Sequence, residues 1–418
     1  MKPIRNVTVA LSAALLVFVL GACQGDEPGT GELASGEIGT IAGTGEHVSF
    51  VDDVRALRAD LFFPMELAEG PDGQLYVVDI GSKRIRVITH DGYLRTVAGS
   101  GGVGETLPGR ALDSDINHPS SITFDAAGRM LIAIWFSSKI VRVDLATGEL
   151  EHLYGSGART YTGEGGSAAE AAFDMPADIT FDAAGDLYVM DQRNQVIRKI
   201  DTSGTITRFA GQCVVEWEAA CGSADAIRAC ESSDKVVCDT GEPLEDECES
   251  TCTPAFGGDG GPALEARMAQ LIGGGVPPSG RMAVDAAGNL YFADTSNHRI
   301  RRIDTSGIIT TVAGTGTRGY AGDDGQAVDA QLAFPIDVEI AGDGTIYVAD
   351  TDNSCVRAFV PGGVIRTVAG ICGQRGFDGD RGPATEALLN RPHGIAFGAD
   401  GNLYIADSYN HRIRVVKR

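Results

Sequence analysis

Apolar and polar positions alternate in runs of about five residues along most of the chain, and glycine-containing turns separate the runs. That period of two belongs to half-buried β-strands. The runs also repeat. Gly-Gln-Leu-Tyr-Val-Val-Asp ends at Asp79, and close copies end at Asp191, Asp294, Asp350 and Asp407. A degenerate copy, Gly128 to Ile134, lies between the first two. The copies recur about every 56 residues, except that the interval from Asp191 to Asp294 carries an insertion of about 46. Self-similarity of this length marks a stacked or radial repeat.

Each of the six units holds four runs. The first starts at a proline (Pro64, Pro119, Pro176, Pro335, Pro392), with Ser279 in its place in unit four. The second is the Leu-Tyr-Val-Ala-Asp run, the third is Arg-Ile-Arg-like, and the fourth ends in Ala-Gly, as at Gly99, Gly211, Gly314 and Gly370. Asp72-Gly73, Asp343-Gly344, Ser203-Gly204 and Ser306-Gly307 supply tight turns. Four short strands per unit and six units predict an all-β, six-bladed propeller with four-stranded blades. The last unit stops at Arg418 after its third run, and Gly39-Thr40-Ile41-Ala42-Gly43 is an orphan fourth run. The N-terminal strand is therefore expected to close the last blade and hide two exposed edges.

The 56 glycines and 6% aromatic residues agree with a turn-rich β-protein. Net charge is −23, and it becomes more negative once Lys2 and Arg5 are removed with a leader. Such a surface repels phosphate backbones, so a nucleic-acid partner is excluded from the expectation. Lys2 and Arg5, the apolar run Val7 to Leu20, and Leu20-Gly21-Ala22-Cys23 have the order of a signal peptide. The tetrad resembles the lipobox of bacterial lipoproteins. Residues 1–22 are read as the signal peptide and 23–38 as an acylated Cys23 with a Gly/Glu-rich tether, followed by the propeller over 39–418. The expected location is the bacterial cell envelope, at the outer membrane in a Gram-negative cell, with the N-terminal lipid as the only membrane contact.

Eight further cysteines fit an oxidising compartment. Cys213, Cys221, Cys230, Cys238, Cys248 and Cys252 fall in an acidic insertion, 212–256, too poor in apolar residues to build a core of its own. Three disulfides are expected there, in any of 15 pairings. Cys355 and Cys372 bracket a hairpin and are expected to pair.

Tyr347-Val-Ala-Asp350, Asn297-His-Arg-Ile-Arg301 with its copy at 410–414, and Gly258-Asp-Gly-Gly-Pro-Ala263 closely resemble bacterial NHL-repeat proteins. The resemblance covers about 39–418 apart from the insertion. It implies the propeller fold, while the family's members span ligand-binding scaffolds, sensor domains, RNA binders and a few enzymes.

Strand parity puts the tight turns at one end and the long blade-to-blade links at the other, so sites are expected on the loop face. The recurrent aspartates and the acidic glycine links are read as scaffold, because a site needs unequal residues. The links are each expected to lead into a short helix. The position two after the proline is unequal around the ring: Glu66, Ser121, Asp178, Arg281, Asp337 and Gly394. It is expected near the loop-face mouth of the channel, where three carboxylates and one Arg converge. The neighbouring ring holds His393 alone among its histidine positions, too few to rebuild the zinc site of propeller lyases. Trp135-Phe136 is a further candidate anchor, on a loop that is small or polar elsewhere. The expectation is a binding or interaction scaffold, with no catalytic residue and no obligatory cofactor, for an envelope protein, peptide or glycan. The alternative is a Ca²⁺-dependent hydrolase, lactonase or lyase with Glu66, Asp178 and Asp337 as ligands.

Overall fold

The computed structural model describes residues 32–212, 254–271 and 277–418. Cys23 and the six cysteines of the insertion lie outside the described residues. Leu33–Arg418 form one compact unit.

Six antiparallel sheets are arranged as blades, with strands following one another from the inner to the outer edge. The inner strands are Pro64–Glu69, Pro119–Phe124, Pro176–Phe181, Met282–Val284, Asp337–Ile340 and Gly394–Phe397. The closure expected from the sequence is present. Ile38–Ala42 pairs antiparallel with Arg412–Val416, with Ile38 opposite Val416 and Thr40 opposite Arg414. It supplies the fourth strand of blade six, and each sheet face buries its apolar set against the next blade, as in the cluster joining Val78, Ile85 and Ile132.

Outer edges are padded as well. The link entering each blade lays a residue or two along that blade's outer strand: Val54 opposite Leu94, Gly109 opposite Leu150, Ser167 opposite Thr205, Pro262 opposite Ile308, Gln326 opposite Val364 and Pro383 opposite Glu37. These contacts occupy ladder groups that would otherwise template aggregation. In three of the four acidic glycine links the expected short helix is a single 3₁₀ turn (Ala263–Glu265, Ala327–Asp329 and Ala384–Glu386), and in the link from Tyr161 it is a turn with no helix. One turn is the length at which 3₁₀ geometry is tolerated.

The repeated motif residues form a joint, and each has a distinct task. Asp294 ends the second strand fully buried, and its carboxylate accepts from Ala269 N (2.7 Å) and Asn297 Nδ2 (2.9 Å). Asn297 also donates to Ala255 O (2.9 Å). Arg301, with no exposed surface, reaches Asp294 at 3.3 Å and Asp259 of the glycine link at 2.8 Å. Arg357 and Arg414 repeat the pattern with Asp350/Asp323 and Asp407/Asp380. The acids of the glycine links are thus partners of buried arginines, as the scaffold reading requires.

The histidine of the motif is an inter-blade latch. His298 and His411 adopt left-handed backbone (φ 53° and 54°) and accept through Nδ1 from Phe334 N and Phe63 N, at 3.2 and 3.3 Å. Ser138 and Ser354 do the same through Oγ, for Met175 N and Arg391 N. Each donor is the residue before an inner-strand proline and has positive φ, between 46° and 57°. Such backbone is strained for a non-glycine residue and persists only where its surroundings fix it. The latch supplies part of that fixing.

Candidate functional site

Inner strands enter at the loop end and run toward the Asp-Gly turns. The ring one residue after the proline is Met65, Ser120, Ala177, Gly280, Ile336 and His393, and every member is buried. Ser120 Oγ donates to Pro176 O of the next blade at 2.7 Å. His393 is 3% exposed, and its Nδ1–H donates to Arg391 O at 2.8 Å. Burial pulls its pKa down to about 3, so the ring is neutral.

The unequal ring comes next. Glu66, Ser121, Asp178 and Arg281 do come together. Arg281 is 2% exposed. It pairs with Glu66, lies 3.8 Å from Asp178, and donates to the carbonyls of Ser120 (3.1 Å) and Met65 (3.3 Å). Ser121 Oγ donates to Asp178 (2.8 Å) or Glu66 (3.2 Å). Asp178 also accepts from Met282 N at 2.7 Å. Asp337 stands apart, with one oxygen taken by its neighbour Val338 N (2.8 Å) and the other by Ile395 N (2.7 Å). The arrangement corrects the metal alternative. Glu66 and Asp178 are drawn to Arg281, Asp337 is satisfied by backbone, and the three do not form a shared ligand set among the described residues. Burial raises the pKa of Glu66 well above the usual carboxylate range, against the pull of Arg281, and raises that of Asp178.

From this layer a cavity of ≈480 Å³ extends toward the turn end, as far as Glu69, Phe124 and Phe397. Its lining includes no member of the ring above. The polar layer therefore lines a pocket that extends toward the turns. One lining acid escaped the sequence reading. Glu339, two residues beyond Asp337, faces positions held by Ala68, Thr123, Thr180, Ala283 and Ala396 in the other blades. The inequality test that singled out Asp337 finds Glu339 when moved two residues along the strand. Burial, then repulsion from Asp337, pushes Glu339 up to about 8, and burial pushes Asp337 to about 7.

Trp135 is 3% exposed and packs on Phe136 (4.9 Å between centroids), whose ring meets His118 edge-on at 4.6 Å. The indole is thus packed into the loop side rather than presented as an exposed anchor. Cys355 and Cys372 form the expected disulfide, Cα–Cα 5.1 Å, at the loop end of blade five.

The loop face has its own relief over blades one and two. Val48, Val103, Leu107 and Phe50 are 81, 63, 57 and 48% exposed. A hollow of ≈250 Å³ is lined by His47, Phe50, Phe62 and Arg84, and another of ≈300 Å³ by Glu105, Lys139 and Ser156. Arg84 lies 3.7 Å over the Phe50 ring and holds it in place.

Closed ring, four-stranded blades and a repeated Asp-Asn-His-Arg joint define the class: a six-bladed β-propeller built from NHL repeats. The NHL-repeat family matches residues 332–359 and 389–416, and the teneurin NHL domain family matches residues 36–233. Teneurin-4 of Mus musculus is 26% identical over 413 residues, which cover 91% of this chain and 13% of that protein. Teneurin-m of Drosophila melanogaster is 30% identical over 251 residues, 56% of this chain and 8% of that protein. The chain thus spans roughly an eighth or less of the curated relatives it matches. Among solved structures, a protein of unknown function from Bacteroides thetaiotaomicron has a TM-score of 0.60 at 17% identity, covering 92% of this chain and 76% of that one. An auxiliary nutrient binding protein from Bacteroides ovatus has a TM-score of 0.58 at 16% identity, covering 91% and 76%. At these identities the structures show a shared fold.

Proposed function

We propose that this propeller is an exported, lipid-anchored binding scaffold that engages an envelope protein, peptide or glycan through its loop face over blades one and two. The observation that carries the reading is the unequal relief there. Val48, Phe50, Val103 and Leu107 stand exposed on two consecutive links, with Val48 and Phe50 lining one of the hollows, whereas scattered apolar exposure is ordinary. Long links on a rigid ring are where binding residues are held in register. Export and acylation at Cys23 rest on the order of basic residues, apolar run and Leu-Gly-Ala-Cys in the sequence. The first outer strand, Ile38–Ala42, is entered at the turn end, because Ile38 lies opposite Val416, the last residue of its partner strand.

The test is co-purification from mildly solubilised envelopes, comparing the full chain with Val48→Asp/Val103→Asp/Leu107→Asp. The same partners on both proteins, with unchanged melting, would sink the proposal. Loss of capture in the variant supports it. Mass analysis of the N-terminal peptide checks the acylation, and Cys23→Ser is expected to release the protein into the soluble fraction.

A further inference from the structure

We infer that the turn-side half of the central channel is a second, independent site, for a small organic amine that also carries a hydroxyl or carbonyl oxygen. The pocket, ≈480 Å³, extends from the layer of Glu66, Asp178 and Arg281 to Glu69, Phe124 and Phe397. Five carboxylates line it, Glu66, Glu69, Asp178, Asp337 and Glu339, against the single cation Arg281, and Glu69 at the turn end accepts from Ala399 N. Arg281 is committed to Glu66 and Asp178. Neither Asp337 nor Glu339 forms an ion pair with a described residue, and Glu339 accepts only a long bond (3.3 Å) from Ile340 N. Two neighbouring carboxylates that no described cation pairs directly favour a bound ammonium, which forms charge-assisted bonds to both.

A second observation fixes the other half of the ligand. Arg281 lines the same pocket while 2% exposed, and its buried Nε–H has no acceptor. A buried donor left unmade costs about 1–3 kcal/mol in general, and a ligand oxygen would recover it. A bare metal ion supplies no acceptor for that N–H. An amine with a nearby oxygen meets both demands, and the hydroxyls of Thr123 and Thr180 line the remaining wall.

Calorimetric titration of the intact propeller with glucosamine, glucose, cyclohexylamine and Ca²⁺ tests the assignment. Glucosamine is expected to bind, with glucose and cyclohexylamine at least tenfold weaker. Glu339→Gln, which keeps the shape, is expected to weaken glucosamine at least tenfold, while Val48→Asp/Val103→Asp/Leu107→Asp leaves it unchanged. Absence of heat with glucosamine, equal affinity for cyclohexylamine, saturable Ca²⁺ binding in its place, or full affinity in a folded Glu339→Gln protein would each overturn the inference.

Discussion

Replacing Arg301 by Met keeps the aliphatic stem and removes a guanidinium with no exposed surface. That group bonds Asp294, Asp259 and the carbonyls of Arg267 (2.8 Å) and Gly257 (2.9 Å). Asp294, itself unexposed, keeps only its N–H donors and becomes an uncompensated buried charge. Breaking a buried pair in this way costs about 3–5 kcal/mol. With unfolding entropy near 2.1 cal/mol/K per residue, the roughly 340 described residues give ~0.7 kcal/mol/K, so the melting temperature is expected to fall by about 6 °C. The control is Arg366→Met. Its ion pair with Asp324 is as short as that of Arg301 with Asp259, 2.8 Å, but the two side chains are 67 and 76% exposed, so its loss costs under about 1 kcal/mol. Scanning calorimetry of both variants, with Asp294→Asn and the Arg301→Met/Asp294→Asn double variant, measures the coupling. If Arg301→Met melts within 1 °C of Arg366→Met, or the double variant is strictly additive, the joint is not the stabilising unit argued above.

Breaking Cys355–Cys372 by a double Ala substitution reopens a closure of 17 residues, worth about 3 kcal/mol by loop entropy, and is expected to lower melting by about 4 °C. An unchanged melting curve would refute that. The pH dependence has two limbs of opposite sign. Asp337 and Glu339, raised to about 7 and about 8, stabilise fully below the unfolded carboxylate value near 4, and lose that contribution as pH rises through 7 and 8. His411, lowered to about 4, stabilises above its unfolded value near 6.5 and loses that contribution as pH falls toward 4. Above pH 6.5 only the first limb of these three groups is active, so melting is expected to fall toward pH 8, with Glu339→Gln flattening the decline from pH 6 to 8. A melting temperature that climbs over that interval contradicts the assignment.

The site was less legible in the sequence than the fold. Counting two residues from each proline brought out Glu66, Ser121, Asp178, Arg281 and Asp337, because a repeat exposes its own exceptions. Depth within the channel was invisible to that count. Burial of Met65, Ile336 and His393 in the ring beside it is likewise set by neighbouring blades, which no local pattern records. Trp135 illustrates the same gap. An aromatic on a loop reads as exposed until Phe136 and His118 are seen packed beside it.

The sequence by itself determined the strand count, the blade boundaries, the closure by Ile38–Ala42 and the pairing of Cys355 with Cys372. Period two, turn dipeptides and a repeat near 56 residues are local signals, and an orphan fourth run has one place to go. Tertiary structure alone decided what the motif residues do. Asn297 bridges a link, His298 latches the next blade, and Arg301 answers an aspartate on its own sheet and another on a link. It also decided toward which end of the channel the pocket extends. Those outcomes depend on side chains from different blades sharing one low-dielectric space, where pairing and closure are set by geometry among units far apart in the chain.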